Sequence, residues 1–442
     1  MRLSRPFIAG IFFCSLYAPH GKAQTTPVTV TWNKVYQQID GFGASDAFDN
    51  GSLTVAQGEL FFSPVTGIGL SLLRTNVPED GSCSTINATC AGEVSDMQMA
   101  IANGAKVWST PWSPPAAMKT NNAINEGGYL LPGSYQAYAD YLANYVESLR
   151  NLFGINLYAV SVQNEPDGSH DWDSALWTPA NFATFIGTNL GPTFALDGLS
   201  TLIMMPEPPN FYELSEFMVP TMSNATAAAY VGLIATHDYD PSNTQPAYPV
   251  GQFGNRHLWQ TETSDTNTPD DGITSALGYA QSINKWMTVS NANAWHYWCL
   301  INPNTGNNGG LADSTGAPTK RLYMMGNYSK FVRPGFYRID ATMAPQTGVS
   351  VSAYKSLTSG ALVIVVINQN VSSVLQSFTL VGATTSGITP WITSASLDLV
   401  QQAVVPVAGG SFVYSLPAAS ITSFIGSTEL HPGPSGLRAT IQ

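Results

Sequence analysis

The sequence predicts an α/β fold, a (β/α)8 TIM barrel that carries a small antiparallel β-sandwich side domain. Three observations predict it. From about Gln38 to Asn327, eight short apolar, β-branched runs alternate with long segments of helical pattern, as βα units around a parallel sheet do. After Arg333-Pro334-Gly335 the texture changes to short strands of period-2 alternation. The 442 residues are 44% hydrophobic and 10% charged, enough apolar material for a large and a small domain and too little charge for a disordered chain.

The elements follow in order. Residues 1–23 read as a signal peptide: Arg2 and Arg5 precede an apolar run from Pro6 to Tyr17, and Gly21-Lys22-Ala23 brings small residues to the cleavage point. That run is too short to span a bilayer, which takes about 20 apolar residues. The mature protein is therefore expected to be secreted, extracellular or periplasmic, with no membrane attachment after the signal is removed. Residues 24–37 hold an early strand at 28–32 expected to join the side domain. The barrel is assigned to 38–332, with strands at 38–43, 70–77, 106–111, 157–163, 201–206, 231–237, 257–262 and 294–300. One helix is clear from Tyr138, Tyr141, Leu142, Tyr145, Val146 and Leu149, which recur on one helical face behind Ser134 as the expected N-cap. The side domain is assigned to 333–427, with strands at 349–354, 361–368, 377–380, 392–396 and 411–416 and on through Phe424. Residues 428–442, rich in Pro and Gly, are expected to form a mobile tail.

Cysteine use fits export. Cys14 leaves with the signal, and Cys83 and Cys90 lie close in a Gly/Ser/Thr/Asn-rich segment where a short-loop disulfide suits an oxidising compartment. Cys299, inside the apolar run Tyr297-Trp298-Cys299-Leu300, is expected to be a buried free thiol. Asn87-Ala88-Thr89 and Asn327-Tyr328-Ser329 are glycosylation sequons. The 17 Lys plus Arg against 29 Asp plus Glu give −12, and loss of the signal leaves 14 basic residues and −15. A field of that sign repels nucleic acid, which is excluded as a partner; a monomer is expected.

Barrels of this kind keep their chemistry at the C-terminal ends of the strands. The fourth strand ends in Gln163-Asn164-Glu165-Pro166-Asp167 and the seventh in Trp259-Gln260-Thr261-Glu262-Thr263-Ser264. Two carboxylic acids facing each other across a barrel mouth are what cleavage of a glycosidic bond needs, one to protonate the leaving oxygen and one to attack or to activate water. Other chemistries lack support. The six histidines show no H-x-H or H-E-x-x-H spacing, so no metal is expected. No G-x-S-x-G elbow occurs, and Gly41-Phe42-Gly43 has Asp46 where a dinucleotide loop has its third glycine, so no cofactor is implied.

The motifs Asp40-Gly41-Phe42-Gly43-Ala44-Ser45, Thr110-Pro111-Trp112-Ser113-Pro114-Pro115 with Met118-Lys119, Asn164-Glu165-Pro166-Asp167, Trp259-Gln260-Thr261-Glu262 and Phe331-Val332-Arg333-Pro334-Gly335 resemble glycoside hydrolase family 30. They occur in order over nearly the whole mature chain. The resemblance implies a (β/α)8 barrel with a side β-domain and retaining chemistry, with Glu165 as acid/base and Glu262 as nucleophile. By the same resemblance Arg74 and Tyr239 hydrogen-bond the nucleophile, Asn164 holds the sugar 2-hydroxyl, and Trp112 and Trp298 line the cleft. His237 is placed with the substrate-binding residues. Trp172, in a polar loop, is a further stacking candidate. The charge of Glu262 beside it is expected to raise the pKa of Glu165. His296 reads as a hydrogen-bonded structural residue.

Segments from Thr110 through Asn121-Asn122 to Gly127-Gly128-Tyr129-Leu130-Leu131-Pro132 resemble the family's bacterial xylanases that cut glucuronate-substituted xylan. Those enzymes clamp the uronate with arginines after the eighth strand, where this chain has Leu300-Ile301-Asn302-Pro303-Asn304. The expected activity is hydrolysis of internal β-1,4-xylosidic bonds of xylan without dependence on glucuronate. The Asn/Gly-rich loop at 304–310 is expected to offer neutral hydroxyl-binding groups. Asp46-Ala47-Phe48 and the Cys83/Cys90 loop resemble branches acting on β-1,6-galactan or releasing xylobiose, so an endo-β-1,6-galactanase or β-1,6-glucanase is the alternative. A non-catalytic carbohydrate-binding protein is the alternative of another class.

Overall fold

The computed structural model describes residues 26–48, 52–84, 88–239, 247–248, 254–265 and 268–428. The signal segment, Asn87 and the tail from 429 lie outside the described residues. After β1 (Val28–Gln38) come β2 (Gly41–Ser45), α1 (Val55–Phe62), β3 (Leu72–Asn76), α2 (Ala88–Ala102), β4 (Lys106–Thr110), α3 (Tyr135–Phe153), β5 (Ala159–Ser161), α4 (Pro179–Phe185), α5 (Gly191–Leu196), β6 (Leu202–Pro206), α6 (Leu214–Ser223), α7 (Ala225–Tyr230), β7 (Val231–Thr236), β8 (His257–Gln260), α8 (Ile273–Thr288), β9 (Ala294–Ile301), β10 (Gly310–Ala312) and α9 (Lys320–Ser329). Strands β2 to β9 pair in parallel and in sequence, and β9 pairs with both β8 and β2, closing an eight-stranded barrel.

The barrel strands are largely buried because both faces are covered, one by helices and one by the interior. The interior is a packed layer of Leu72, Trp108, Ala159, Met204, Leu233, Ala235, Trp259 and Ala294. Trp108 meets Trp259 edge-on at 5.9 Å, and buried His296 accepts from Trp108 Nε1 at 3.2 Å while its Nδ1 lies 2.8 Å from the Gln260 carbonyl. Burial pushes that imidazole down to about 3, so it is a neutral structural group. The α3 stripe buries Tyr138, Leu142, Tyr145, Val146 and Leu149, and burial of such side chains contributes roughly 1.5–3 kcal/mol each. Ser134 occupies the N-cap position but makes no capping bond, because a short 3-10 turn over Pro132–Ser134 leads straight into the helix. Gly154, in the left-handed region at φ 71°, ends it by donating to Arg150 O.

The side domain is built from β1, β11 (Tyr337–Ala341), β12 (Val349–Lys355), β13 (Ala361–Asn368), β14 (Val374–Val381), β15 (Gly387–Thr393), β16 (Val400–Gln401), β17 (Val405–Pro406), β18 (Ser411–Leu416) and β19 (Ser420–Ser427). It departs from a purely antiparallel sandwich. The sheet is mixed, since β1 runs parallel to β14 while pairing antiparallel with β11. It folds onto itself so that Phe378 and Phe412 pack against Phe424 at 5.2 and 5.4 Å. Strand β13 has no solvent face: Leu362, Ile364 and Val366 enter the side-domain core while Val363, Val365 and Ile367 pack toward the barrel. The sequon residue Asn327 is buried and donates to Trp391 O at 3.1 Å and Ser423 Oγ at 3.0 Å, which removes it from glycosylation in the folded chain. Thr428, grouped with the tail from sequence, is buried and bonded to Gly360 O. Among the described residues no helix is long and apolar enough to cross a membrane.

Candidate active site

Backbone bonds run round the C-terminal mouth of the barrel and set the carboxylates in place. Asn164 N donates to Pro111 O at 2.9 Å, Glu165 N to Glu207 O at 3.0 Å, Glu207 N to Ala235 O at 3.0 Å and Asp238 N to Glu262 O at 2.9 Å. Glu165 and Glu207 sit at φ 44° and 58°, a left-handed conformation costly for non-glycine residues, held because the strand ends on both sides are bonded. Oxygens of Glu165 and Glu262 come within 4.8 Å of each other.

Arg74, fully buried in the middle of β3, organises the group. Its Nη1 donates to Glu262 Oε2, Nη2 donates to Asn164 Oδ1 at 2.7 Å and lies 3.3 Å from Glu207 Oε1, and its guanidinium lies over Trp112 at 4.4 Å. Tyr239 OH donates to the other Glu262 oxygen at 2.8 Å. His237 is fully buried, with Nδ1 at 3.1 Å from Glu165 Oε1 and Nε2 at 3.7 Å from both Glu207 and Glu262. It presents no surface to a substrate; its partners are the carboxylates, not a sugar. Trp112 and half-buried Trp298 form an edge-on pair at 5.9 Å beside Arg74.

Five ionisable groups thus share a buried cluster, Arg74 and His237 against Glu165, Glu207 and Glu262. Burial works to raise Glu207, but the Arg74 charge and the His237 bond prevail and push it down to about 2. Burial works to lower His237, but the charge of Glu262 and the bonds to Glu165 and Glu207 hold it up at about 9. Glu165 departs from the raised pKa expected of it. Burial does act upward, but His170 and His237 stabilise the carboxylate and push it down to about 2. The trio Glu165, His237 and Glu262 has the spacing of a metal site, but Arg74 already supplies the balancing charge on Glu262.

Sequence reasoning missed three residues here. Glu207 follows its strand as Glu165 and Glu262 follow theirs, and reading all eight strand ends for acids finds it. His170, in the loop after Glu165, places Nε2 at 3.2 Å from Glu165 Oε2 and carries no motif of its own. Phe48 stands 42% exposed and edge-on to Trp112 at 5.0 Å, extending the aromatic wall. Trp172 is 53% exposed and stacks on His170. In the loop at 304–310, Asn307 Oδ1 accepts from Gly309 N and buried Asn308 ties Asp265, Asp270 and Arg321 together, while Asn304 and Thr305 are exposed. A disulfide joins Cys83 and Cys90, and Cys299 is a buried thiol outside any disulfide that donates from Sγ to Gly309 O at 3.1 Å.

Residues 93–342 match the glycosyl hydrolase family 30 TIM-barrel domain. The chain belongs to glycosyl hydrolase family 30. It is 34% identical to glucuronoxylanase XynC of Bacillus subtilis strain 168 over 90% of this chain and 91% of that protein. Its structure resembles a family 30 subfamily 8 xylanase from Clostridium acetobutylicum, with TM-score 0.82, 33% identity and coverage of 91% of this chain and 99% of that one. It likewise resembles a family 30 endoxylanase from Clostridium papyrosolvens, with TM-score 0.80, 33% identity and coverage of 91% and 100%. The family 30 match contains Glu165, Glu207 and Glu262, while Arg74 reaches them from before it.

Proposed function

We propose that this family 30 glycoside hydrolase is a secreted, retaining endo-β-1,4-xylanase that does not depend on glucuronate side groups. The observation that carries the reading is the approach of Glu165 and Glu262 to within 4.8 Å, with Glu262 alone gripped by both Arg74 and Tyr239. A retaining glycosidase holds its carboxyls about 5–5.5 Å apart, and an inverting one leaves room for water at about 6.5–9.5 Å. Glu262, held by its two donors, attacks the anomeric carbon; Glu165, a carboxylate in the free site, takes up a proton in the substrate complex, passes it to the leaving oxygen and then, as carboxylate again, activates the water that releases the sugar. Asn164, whose oxygen is committed to Arg74, keeps its NH2 group for the 2-hydroxyl, and Trp298 and Phe48 supply surfaces for pyranose rings with buried Trp112 packed behind them.

Xylan is favoured as substrate by the likeness to xylanases over nine-tenths of the chain. Independence from glucuronate rests on the end of β9, where Leu300, Ile301, Asn302 and Pro303 offer no guanidinium; the nearby Arg321 is buried and bonded to Gly310 O and Asp271. Export rests on the segment 1–23. The test is mass spectrometry of products from glucuronoxylan, arabinoxylan, linear xylooligosaccharides, β-1,6-galactan and β-1,6-glucan, with proton NMR of the first anomer released. Comparable cleavage of decorated and linear xylan with β-anomer first supports the proposal. Activity confined to glucuronoxylan removes the glucuronate argument, activity confined to a β-1,6 polymer overturns the substrate, and binding without turnover overturns the enzyme.

A further inference from the structure

The segment from Glu165 to Trp172 is more tightly built than an exposed loop requires. Gly168 N donates to Glu165 O at 3.0 Å, His170 N lies 3.1 Å from Ser174 Oγ, and Glu126 N donates to His170 O at 2.6 Å. Ser174 Oγ also lies within 3.3 Å of the carbonyls of His170 and Trp172. These bonds fix the imidazole so that Nε2 reaches Glu165 Oε2 at 3.2 Å. Position 168 has to be glycine for this, since a Cβ there would overlap the His170 ring. On its other side the imidazole lies flat on Trp172, with centroids 4.3 Å apart and planes 5° from parallel. One face of the indole is thus covered, and its 53% exposure belongs to the other face and the edges.

From this geometry we infer that His170 is a positioning residue for Glu165, and that its stack on Trp172 links the acid to the sugar on the leaving-group side. The inference rests on the reading of Glu165 as general acid. A pyranose stacked on the open face of Trp172 sits beside the carboxyl that must protonate the leaving oxygen, and it braces the imidazole against that carboxyl. Two histidines then divide Glu165 between them, His237 on Oε1 from the end of β7 and His170 on Oε2 from the loop. The other charged groups near Glu165 are Glu262, Glu207 and Arg74 of the buried cluster and Asp167 in its own turn; Asp167 and Asp171 also act on His170.

The test compares wild type with His170→Ala, His170→Gln, Trp172→Ala and Glu165→Ala in the full mature protein. It measures kcat and KM against pH on linear xylooligosaccharides and on an aryl xylobioside whose leaving group needs no protonation. Taking the imidazole from beside a carboxylate raises its pKa, so in His170→Ala the alkaline limb of kcat on oligosaccharides, which reports the acid in the substrate complex, should move up by about one pH unit. Its kcat there should fall on the order of tenfold, within the range that general acid catalysis supplies. On the aryl substrate the loss in kcat/KM should be several-fold smaller. His170→Gln, which keeps a donor, should recover most of the limb position, and Trp172→Ala should raise KM for oligosaccharides more than for the aryl glycoside. Profiles of His170→Ala and His170→Gln that overlay wild type overturn the inference, as does equal loss on both substrates. If His170→Ala does not fold, His170→Gln and Trp172→Ala carry the same comparison. Full oligosaccharide turnover by Glu165→Ala would instead overturn the underlying assignment of the acid.

Discussion

Replacing Glu207 by Gln removes one charge from the buried cluster and almost nothing else. The amide oxygen still accepts from Thr110 Oγ1, now at 2.9 Å from the carboxylate, and the volume is unchanged. What is lost is a pair at 3.3 Å between two side chains with no exposed surface. At an effective dielectric near 20 such a pair interacts by about 5 kcal/mol. Deleting one partner of a buried pair costs about 3–5 kcal/mol, because the other charge stays buried. For a chain of roughly 400 ordered residues, unfolding entropy of about 0.8 kcal/mol per kelvin turns this into a Tm lower by about 4–6 °C. The pH dependence checks the cause. Glu207 is held at about 2 against 4.5 when unfolded, so its contribution is complete above pH 4.5 and lost as pH falls through about 2. Calorimetry of wild type and Glu207→Gln should therefore show the full gap at pH 6 and a gap that narrows from pH 4.5 toward 2.5. A gap below about 1 °C at pH 6, or one that does not narrow in acid, would refute the reasoning.

Lys119 is buried, pushed down to about 8 by burial, and donates to Ser113 Oγ, Ile124 O and Ser174 O, so it pins the loop after β4 to the loop after β5. Lys119→Met should cost about 1–3 kcal/mol through the unpaired carbonyls and expose the 113–174 region to limited proteolysis, read by gel and by Tm. Cys83 and Cys90 close a short loop, so the double change to Ser should lower stability by about 2.5 kcal/mol, or roughly 3 °C in Tm, with kcat retained. His237 is held at about 9 against 6.5 when unfolded, so its contribution is complete below pH 6.5 and lost as pH rises through 9. Wild-type stability should fall by about 3 kcal/mol over that window at 1.36 kcal/mol per pH unit, and His237→Gln should flatten the fall in thermal scans from pH 6.5 to 10.

The barrel was legible because its signal is local and repeated. Each run from 106–111 to 294–300 holds apolar residues for both faces of a buried strand, and their ends differ from β4 to β9 by one or two residues. The side domain was harder to read. Strand β13 is apolar on both faces because one packs on the barrel, and β11 carries only Ile339 as a fully buried aliphatic, too little apolar pattern to mark a strand until β1 and β12 flank it.

At the site, the strand-end pattern singled out Glu165 and Glu262, because strand ends are positions a linear pattern can count, while Arg74 and Tyr239 came from the family resemblance. Tertiary structure alone decided the protonation balance. That two histidines face Glu165, that Glu207 shares Arg74, and that His237 is buried among the acids depend on side chains from β3 and from the ends of β5, β6, β7 and β8 converging in one buried volume. Coulomb energy falls with distance and with solvent screening, and neither is written in residue spacing, so the pKa of Glu165 could not be read from its neighbours in sequence.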